Sequence, residues 1–348
     1  EGDVLPDDAW RDSVEPLLLP GFIDLHVHGG GGADTMQADA AAIHTIARTH
    51  ARHGTTALLA TTMTAPLDEI EAALRALAPA CRSRAPDAAR VLGVHLEGPF
   101  ISPDKLGAQP AHAALPSADA ILALHAIAPL RVITLAPELP GALEAIGALV
   151  GAGIRVQIGH SAADYDTACA ALQRGAAGFT HLFNAMSPLH QRAPGVAGAA
   201  LAHAEHAEII ADLLHVHPGA IRAALRAIPG LYCVTDSTAA AAMPDGDYVL
   251  GRQRVHKCLG GVRLADGTLA GSTLTMDQAL RNLVFELGLP VHEAALRTAT
   301  HAARYLGLAD RGALVRGAFA DIVVLDAQLH LKRVIVEGEA IDDLADAT

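Results

Sequence analysis

The sequence predicts an α/β fold, a (β/α)8 TIM-type barrel with a small satellite β-sandwich formed by the chain ends. Three observations predict it. Eight short runs rich in Val, Ile, Leu and Phe alternate with Ala/Leu-rich stretches between residues 21 and 236, the pattern of parallel strands joined by helical crossovers. Five of those runs end in His, Glu or Asp, on the side where barrels assemble their sites. The closing segments GAFADIVVL (317–325) and RVIVE (333–337) are split by turn-like residues and read as a separate β-hairpin.

In order, strands are expected at 21–28, 55–61, 91–97, 132–137, 154–160, 178–181, 208–213 and 231–236. The helical patterns between them cover 39–53, 67–81, 118–127, 142–151, 164–174 and 218–228, with two more at 273–287 and 291–306. The first 20 residues are short and irregular, so the satellite has a meagre N-terminal part. The expected division is therefore 1–19 with 313–348 as the satellite and 20–312 as the barrel. A doubly wound open sheet is the alternative. It is weakened because no G-x-G-x-x-G follows the first run, and the glycines at 29–32 are not spaced for a pyrophosphate turn.

The chain has 348 residues, 51% hydrophobic and 18% charged, enough apolar surface for one large domain with a small companion. With 25 Lys+Arg against 38 Asp+Glu the formal net charge is −13, which argues against a nucleic-acid or anionic-membrane binder. An anionic small molecule remains compatible, since one pocket can be basic on an acidic protein. No apolar run reaches the ~20 residues of a bilayer span. The acidic start lacks the plan of a signal peptide, and four widely spaced cysteines suit reduced thiols, so a cytoplasmic location is expected.

The first strand carries FIDLHVH. Side chains alternate along a strand, so Asp24, His26 and His28 share one face and the two imidazoles converge, as a metal ion requires. HxH alone also describes a pair of solvated strand-end histidines. Further strands end in His95-Leu96-Glu97, Gly159-His160, Thr180-His181 and Thr235-Asp236. Imidazole and carboxylate without thiolate fit zinc or another divalent transition ion. His26, His28 and Asp236 can hold one ion and His160 and His181 a second, with Glu97 bridging or serving the second alone. A divalent ion lowers the pKa of its water from 15.7 towards ~7, and Asp236 can pass the water's proton to a leaving amine. The chemistry implied is metal-assisted hydrolysis of an amide-like bond.

The stretches PGFIDLHVHGGGGAD, GVHLEGPFIS, GHS, THLFNAM, RAPGVAGAAL, IIADLLHV, VTDS and GTLAGSTLTM run in this order from residue 20 to residue 276. Together they resemble the N-acetylglucosamine-6-phosphate deacetylase family of the amidohydrolase superfamily. The resemblance implies deacetylation of N-acetyl-D-glucosamine 6-phosphate to D-glucosamine 6-phosphate and acetate. It implies Glu97, His160 and His181 as metal ligands, a second site at His26 and His28, and Asp236 as general base and acid. The cofactor implied is one or two divalent ions, zinc foremost. The sugar phosphate is placed near Asn184, Ala185 and Arg192, with His215 reaching in from the neighbouring subunit of a homodimer. Ala108 and the loop of Leu269, Ala270 and Gly271 are placed along the sugar and acyl pocket.

Two positions depart from the family pattern. Gln109 stands where a His usually polarises the acetyl carbonyl; its amide can still donate to an oxyanion, and His112 is the other candidate. Leu213 stands where Gly is usual. These departures keep open a related enzyme acting on N-acetylgalactosamine 6-phosphate or another N-acyl substrate. A catalytically silent sugar-phosphate-binding barrel is the third reading, disfavoured because Glu97 and Asp236 are both kept. His95 reads as a core or supporting histidine, and His44, His50 and His53 as a solvated helix face. Asp24 is expected either to orient a ligand or to touch substrate, and the 29–32 glycines to form a turn near the metals.

Overall fold

The computed structural model describes residue 10, residues 15–342 and residue 344. Six strands pair in parallel in chain order: Phe22–Val27, Thr55–Thr61, Arg90–Glu97, Leu130–Leu135, Arg155–Ile158 and Gly178–Phe179. Two more, His206–Ile210 and Gly230–Val234, pair in parallel with each other. Backbone contacts continue across both gaps. Leu182 N–H donates to Glu208 O at 2.9 Å, Asp236 N–H to His26 O at 2.9 Å, and His28 N–H to Ser237 O at 2.9 Å. The result is a curled parallel sheet with helices outside it. All eight expected strands are present within a few residues of their predicted bounds.

Both faces of these strands are buried, as parallel strands covered by helices must be. On the Phe22–Val27 strand, Ile23, Leu25 and Val27 alternate with the buried polar Asp24 and His26. The interior is strongly polar. His95 Nε2 meets Thr134 Oγ1 at 2.7 Å, Thr134 meets Thr180 Oγ1 at 2.8 Å, and Gln157 joins Thr180 to the Tyr232 hydroxyl. His95 is thus a core histidine, as its sequence position suggested.

The helices follow from spacing and caps. Leu67–Arg82 buries Ile70, Ala73, Leu74, Leu77 and Ala78, the i, i+3, i+4, i+7, i+8 stripe of a helix lying on a core. Asp39, Ser117 and Asp164 cap their helices by accepting from Ala42, Ala120 and Thr167 N–H. Ala118–Ile127 and Ala142–Gly151 match their expected bounds. The two helices expected after residue 273 form Met276–Arg281 with a wider π turn at Asn282–Glu286, and Val291–Ala295 with a π turn at Leu296–Thr300, continuing as His301–Leu306.

Two elements go beyond the sequence reading. Gly195–His203 is a helix whose residues from Gly195 to Ala200 are all buried; a run of Gly and Ala buried all round carries no 3.6-residue period to detect. Gly246–Leu250, Gln253–Cys258 and Gly261–Arg263 form an antiparallel sheet, whose buried side chains Leu250, Val255 and Val262 cluster with Met63, Ala240 and Ala270.

The chain ends form a separate antiparallel sheet in the order Leu17–Pro20, Ile322–Leu325, Leu331–Val336 and Glu339–Ala340. Among the described residues this is one four-stranded sheet, where a sandwich was expected, because the N-terminal segment supplies a single strand. Residues 1–9 and 11–14 of the expected satellite lie outside the described residues.

Candidate metal centre and substrate pocket

The six expected ligands come together at the carboxyl ends of their strands. His26 and His28 face one another with Nε2 atoms 3.2 Å apart, and Asp236 Oδ1 lies 3.4 Å and 3.2 Å from those same nitrogens. His160 and His181 form a second pair, also with Nε2 atoms 3.2 Å apart. Glu97 stands between the pairs. Its Oε1 is 3.2–3.4 Å from Nε2 of His26, His160 and His181, and its Oε2 is 3.1 Å from His28 Nε2. The ligand atoms of His26, His28 and Asp236 lie within 4.8 Å of one another, as do those of Glu97, His160 and His181.

The donor set fits divalent cations. Two imidazole nitrogens at 3.2 Å in a buried setting direct lone pairs at each other, and Glu97 Oε1 is buried without a hydrogen-bond partner. Such groups are compensated when they converge on a cation. The opposite ring nitrogen is tied down in two of the four histidines, while Nδ1 of His28 and of His181 is buried without a hydrogen-bond partner. His26 Nδ1–H donates to Glu208 Oε2 at 3.0 Å and His160 Nδ1–H to the Lys105 carbonyl at 2.7 Å, leaving Nε2 as the ligating atom in each. Burial opposes ionisation of Glu97 and Asp236, yet the surrounding histidines hold both carboxyls below their ordinary range.

The backbone is bent to make this site. His160, His181 and Asp236 have φ of 46°, 26° and 51°, and Phe183 and Ala185 have 80° and 49°. Non-glycine residues in this region cost on the order of 1–3 kcal/mol each and gather at functional sites. Asn184 Nδ2 donates to His181 O at 3.1 Å, pinning that turn. Gly271 also has positive φ, and a Cβ there would lie 2.6 Å from Thr238 Cγ2, so this pocket wall requires glycine.

Above the ligands lies a cavity of about 250 Å³. Ala108, Gln109, Asn184, Ala185, His215, Leu269 and Gly271 line it together with His28, Glu97, His160, His181 and Asp236. His26 is fully buried beneath, and Ala270 packs behind the wall. Met63, Leu250 and Thr268 also line the cavity; sequence reasoning missed all three, Leu250 because it arrives on the undetected antiparallel sheet.

The structure places the other expected pocket residues as follows. His215 lines the cavity from within the same chain, held by Asp212, whose Oδ2 accepts from Nδ1–H at 2.6 Å; no neighbouring subunit is needed to bring it there. Arg192 is exposed and is not among the residues lining its own chain's cavity. The Gln109 amide is already engaged: Nε2 donates to Glu97 Oε2 at 2.5 Å and Oε1 accepts from Thr64 N–H at 2.7 Å. Gln109 therefore braces the Glu97 carboxylate. His112 is exposed beside Arg252 and lies outside the cavity.

His50 belongs to no solvated face. It is fully buried, bonding Gly29 O at 2.9 Å and Ser237 Oγ at 3.1 Å, and burial lowers its pKa to about 4. His53 pairs with Asp277 at 3.4 Å. Asp24 accepts from His26 N–H and from Thr235 N–H and Oγ1–H, so it clamps the backbone that carries His26. The glycines that follow His28 form a short hairpin, Gly29–Gly30 with Ala33–Asp34. Leu213 has φ of 66°, which explains why glycine suits that position.

Residues 17–343 match the model of the amidohydrolase family. The chain is 41% identical over 328 residues to N-acetylglucosamine-6-phosphate deacetylase of Lysinibacillus sphaericus, covering 92% of this chain and 84% of the relative. It is also 41% identical over 330 residues to N-acetylgalactosamine-6-phosphate deacetylase of Escherichia coli O157:H7, covering 93% and 87%. Among solved structures, a variant of N-acetyl-D-glucosamine-6-phosphate deacetylase from Mycobacterium smegmatis, in complex with N-acetyl-D-glucosamine-6-phosphate, superposes with a TM-score of 0.89 at 36% identity, covering 94% of this chain and 87% of that one.

Proposed function

Since the chain belongs to the amidohydrolase family, we propose that it hydrolyses the acetamide of N-acetyl-D-glucosamine 6-phosphate, releasing acetate and D-glucosamine 6-phosphate. The observation that carries this reading is the convergence of two ligand clusters, with Asp236 among them, on one cavity that also receives His215. His26, His28 and Asp236 would hold one ion and Glu97, His160 and His181 another, zinc in the simplest case. A divalent ion supplies Lewis acidity, polarising the amide carbonyl and lowering the pKa of water towards ~7.

The chain's own groups do the rest. Asp236 accepts the proton of the attacking water and delivers it to the departing amine. Gln109 holds Glu97 in place from one side. His215, oriented by Asp212, faces the cavity as a donor to the phosphate, and Ala108, Asn184, Ala185, Leu269 and Gly271 shape the sugar and acyl pocket. A phosphate dianion calls for charge-assisted donors. Arg192, exposed on its own chain, serves the cavity of a second copy in a homodimer with shared sites.

The backbone bonds that bridge the curled sheet to the last two strands support one closed (β/α)8 barrel, with 20–312 as the barrel and 1–19 with 313–348 as the satellite. Among the described residues no helix is long and apolar enough to cross a membrane. Cys81, Cys169, Cys233 and Cys258 are free thiols, which supports a cytoplasmic setting.

The relative from Escherichia coli O157:H7, equally identical, favours a second reading in which the galacto epimer is the better substrate. The test is acetate release by zinc-loaded protein from N-acetylglucosamine 6-phosphate, its galacto epimer and unphosphorylated N-acetylglucosamine. Preference for the gluco phosphate supports the first reading, and preference for the galacto phosphate the second. Equal turnover of the unphosphorylated sugar refutes a phosphate anchor, and no turnover of any of the three refutes both readings.

A further inference from the structure

Glu208 is a fully buried carboxylate that the proposed reaction does not use. It sits on the His206–Ile210 strand between Ala207 and Ile209, both also buried. Packing alone would favour an apolar side chain here, since an isosteric hydrophobe avoids desolvating a charge. What the carboxylate does is read from one atom. Oε2 accepts from the ring Nδ1–H of His26 at 3.0 Å and from the backbone N–H of His181 at 3.2 Å.

These two histidines come from strands far apart in sequence and from different ligand clusters. Their rings stack at 28° with centroids 5.6 Å apart. The Nε2 atoms of both reach the same oxygen, Glu97 Oε1, at 3.4 Å and 3.2 Å. Glu208 and Glu97 therefore bracket the imidazole pair, Glu208 through the ring Nδ1 of one and the peptide of the other. The other Glu208 oxygen, Oε1, has no hydrogen-bond partner, and His95 Nδ1 stands 4.0 Å away. Only one oxygen does the bracing.

We propose that Glu208 is the positioning residue that joins the two ligand clusters, setting the tautomer and aim of the His26 ring and the strand end that carries His181. The inference rests on the metal-dependent reading above. A carboxylate behind a ligating imidazole raises its basicity and fixes its orientation, and removing such a partner typically lowers metal affinity 10–100-fold. The loss should be graded. Glu208→Gln keeps an oxygen for both contacts but loses the charge, and Glu208→Ala loses both.

The experiment measures zinc affinity of the metal-free protein by competition with a chelator, together with the visible absorption of the cobalt-loaded protein. We expect affinity to fall about tenfold in Glu208→Gln and about a hundredfold in Glu208→Ala, with an altered cobalt spectrum in both. Gln157→Leu, which breaks the interior network at Thr180 and Tyr232 without touching a ligand, should bind within about threefold of the unaltered protein and keep its spectrum. Circular dichroism of the metal-free variants identifies any that fail to fold. If Glu208→Ala fails, Glu208→Gln decides. Parent-like affinity and spectrum in Glu208→Gln would overturn the proposal, as would an equal loss in Gln157→Leu. Failure of the unaltered protein to bind zinc or cobalt would instead remove the metal-dependent reading itself.

Discussion

Two charge clusters in this molecule use similar chemistry to opposite ends. Beside the chain-end sheet, Glu337 receives Arg90 through Nε and Nη2 at 2.8 Å each, Arg311 at 2.6 Å and Arg84 at 3.3 Å. Arg311 also bonds Asp321 at 2.6 Å, and Arg84 bonds Glu339. There, carboxylates meet groups that carry permanent charge and present fixed donors. At the strand ends, Glu97 and Asp236 meet no arginine or lysine but imidazoles, whose Nε2 atoms crowd each other at 3.2 Å, with the neutral Gln109 amide on Glu97. The first cluster is complete within the chain; the second is completed by a cation. The difference separates charge used to fasten the fold from charge kept for chemistry.

The largest effect is expected in the second cluster. Asp236→Asn keeps an oxygen towards the metal but removes the proton acceptor, so kcat should fall on the order of 10³-fold with metal still bound. Near-normal turnover in that variant would break the assigned role. Arg192→Ala should raise KM for the phosphorylated sugar about 10–100-fold, the worth of a hydrogen bond to a charged group, with kcat little changed. If the proposed homodimer shares its sites, mixed dimers of Arg192→Ala and Asp236→Asn subunits should recover part of the activity, because one of the two sites would then be intact. Absence of recovery would show that Arg192 acts within its own chain or not at all.

The strand ends were legible because two simple rules act there. Alternation puts Asp24, His26 and His28 on one face, and parallel strands present their carboxyl ends together. Helices with a plain 3.6-residue stripe, such as Leu67–Arg82, were legible for the same kind of reason. Burial imposed by tertiary structure was not. His50 looks like a surface residue in its helix, but the hairpin Gly29–Gly30 folds over it. Glu208 has no motif around it, and its role depends on partners 182 and 27 residues away in sequence. The Gly246–Leu250 hairpin was lost because its exposed, mixed residues resemble a loop.

The first cluster should answer to stability with little effect on catalysis. Glu337→Gln leaves three arginines short of a partner and should cost about 2 kcal/mol of unfolding free energy, read by urea titration, while activity per folded molecule stays unchanged. The acid limb gives the sign. Hydrogen bonds from Arg90, followed by those from Arg311, hold Glu337 at about 2 against an ordinary 4.5. Its contribution is therefore present above pH 4.5 and is lost as pH falls from 4.5 towards 2. The stability gap between the unaltered protein and Glu337→Gln should narrow across that window; a constant gap would contradict the pairing. The smallest effect is expected at Leu213→Gly, where relief of a left-handed φ of 66° offsets the loss of a partly buried side chain, leaving a change within about 1 kcal/mol.

The claim that the second cluster is completed by a cation is tested most directly by adding zinc stepwise to metal-free protein while following acetate release from N-acetylglucosamine 6-phosphate. The account predicts negligible turnover without metal and activity that rises with bound zinc until the ligand clusters are filled. Full turnover by protein stripped of metal would contradict it.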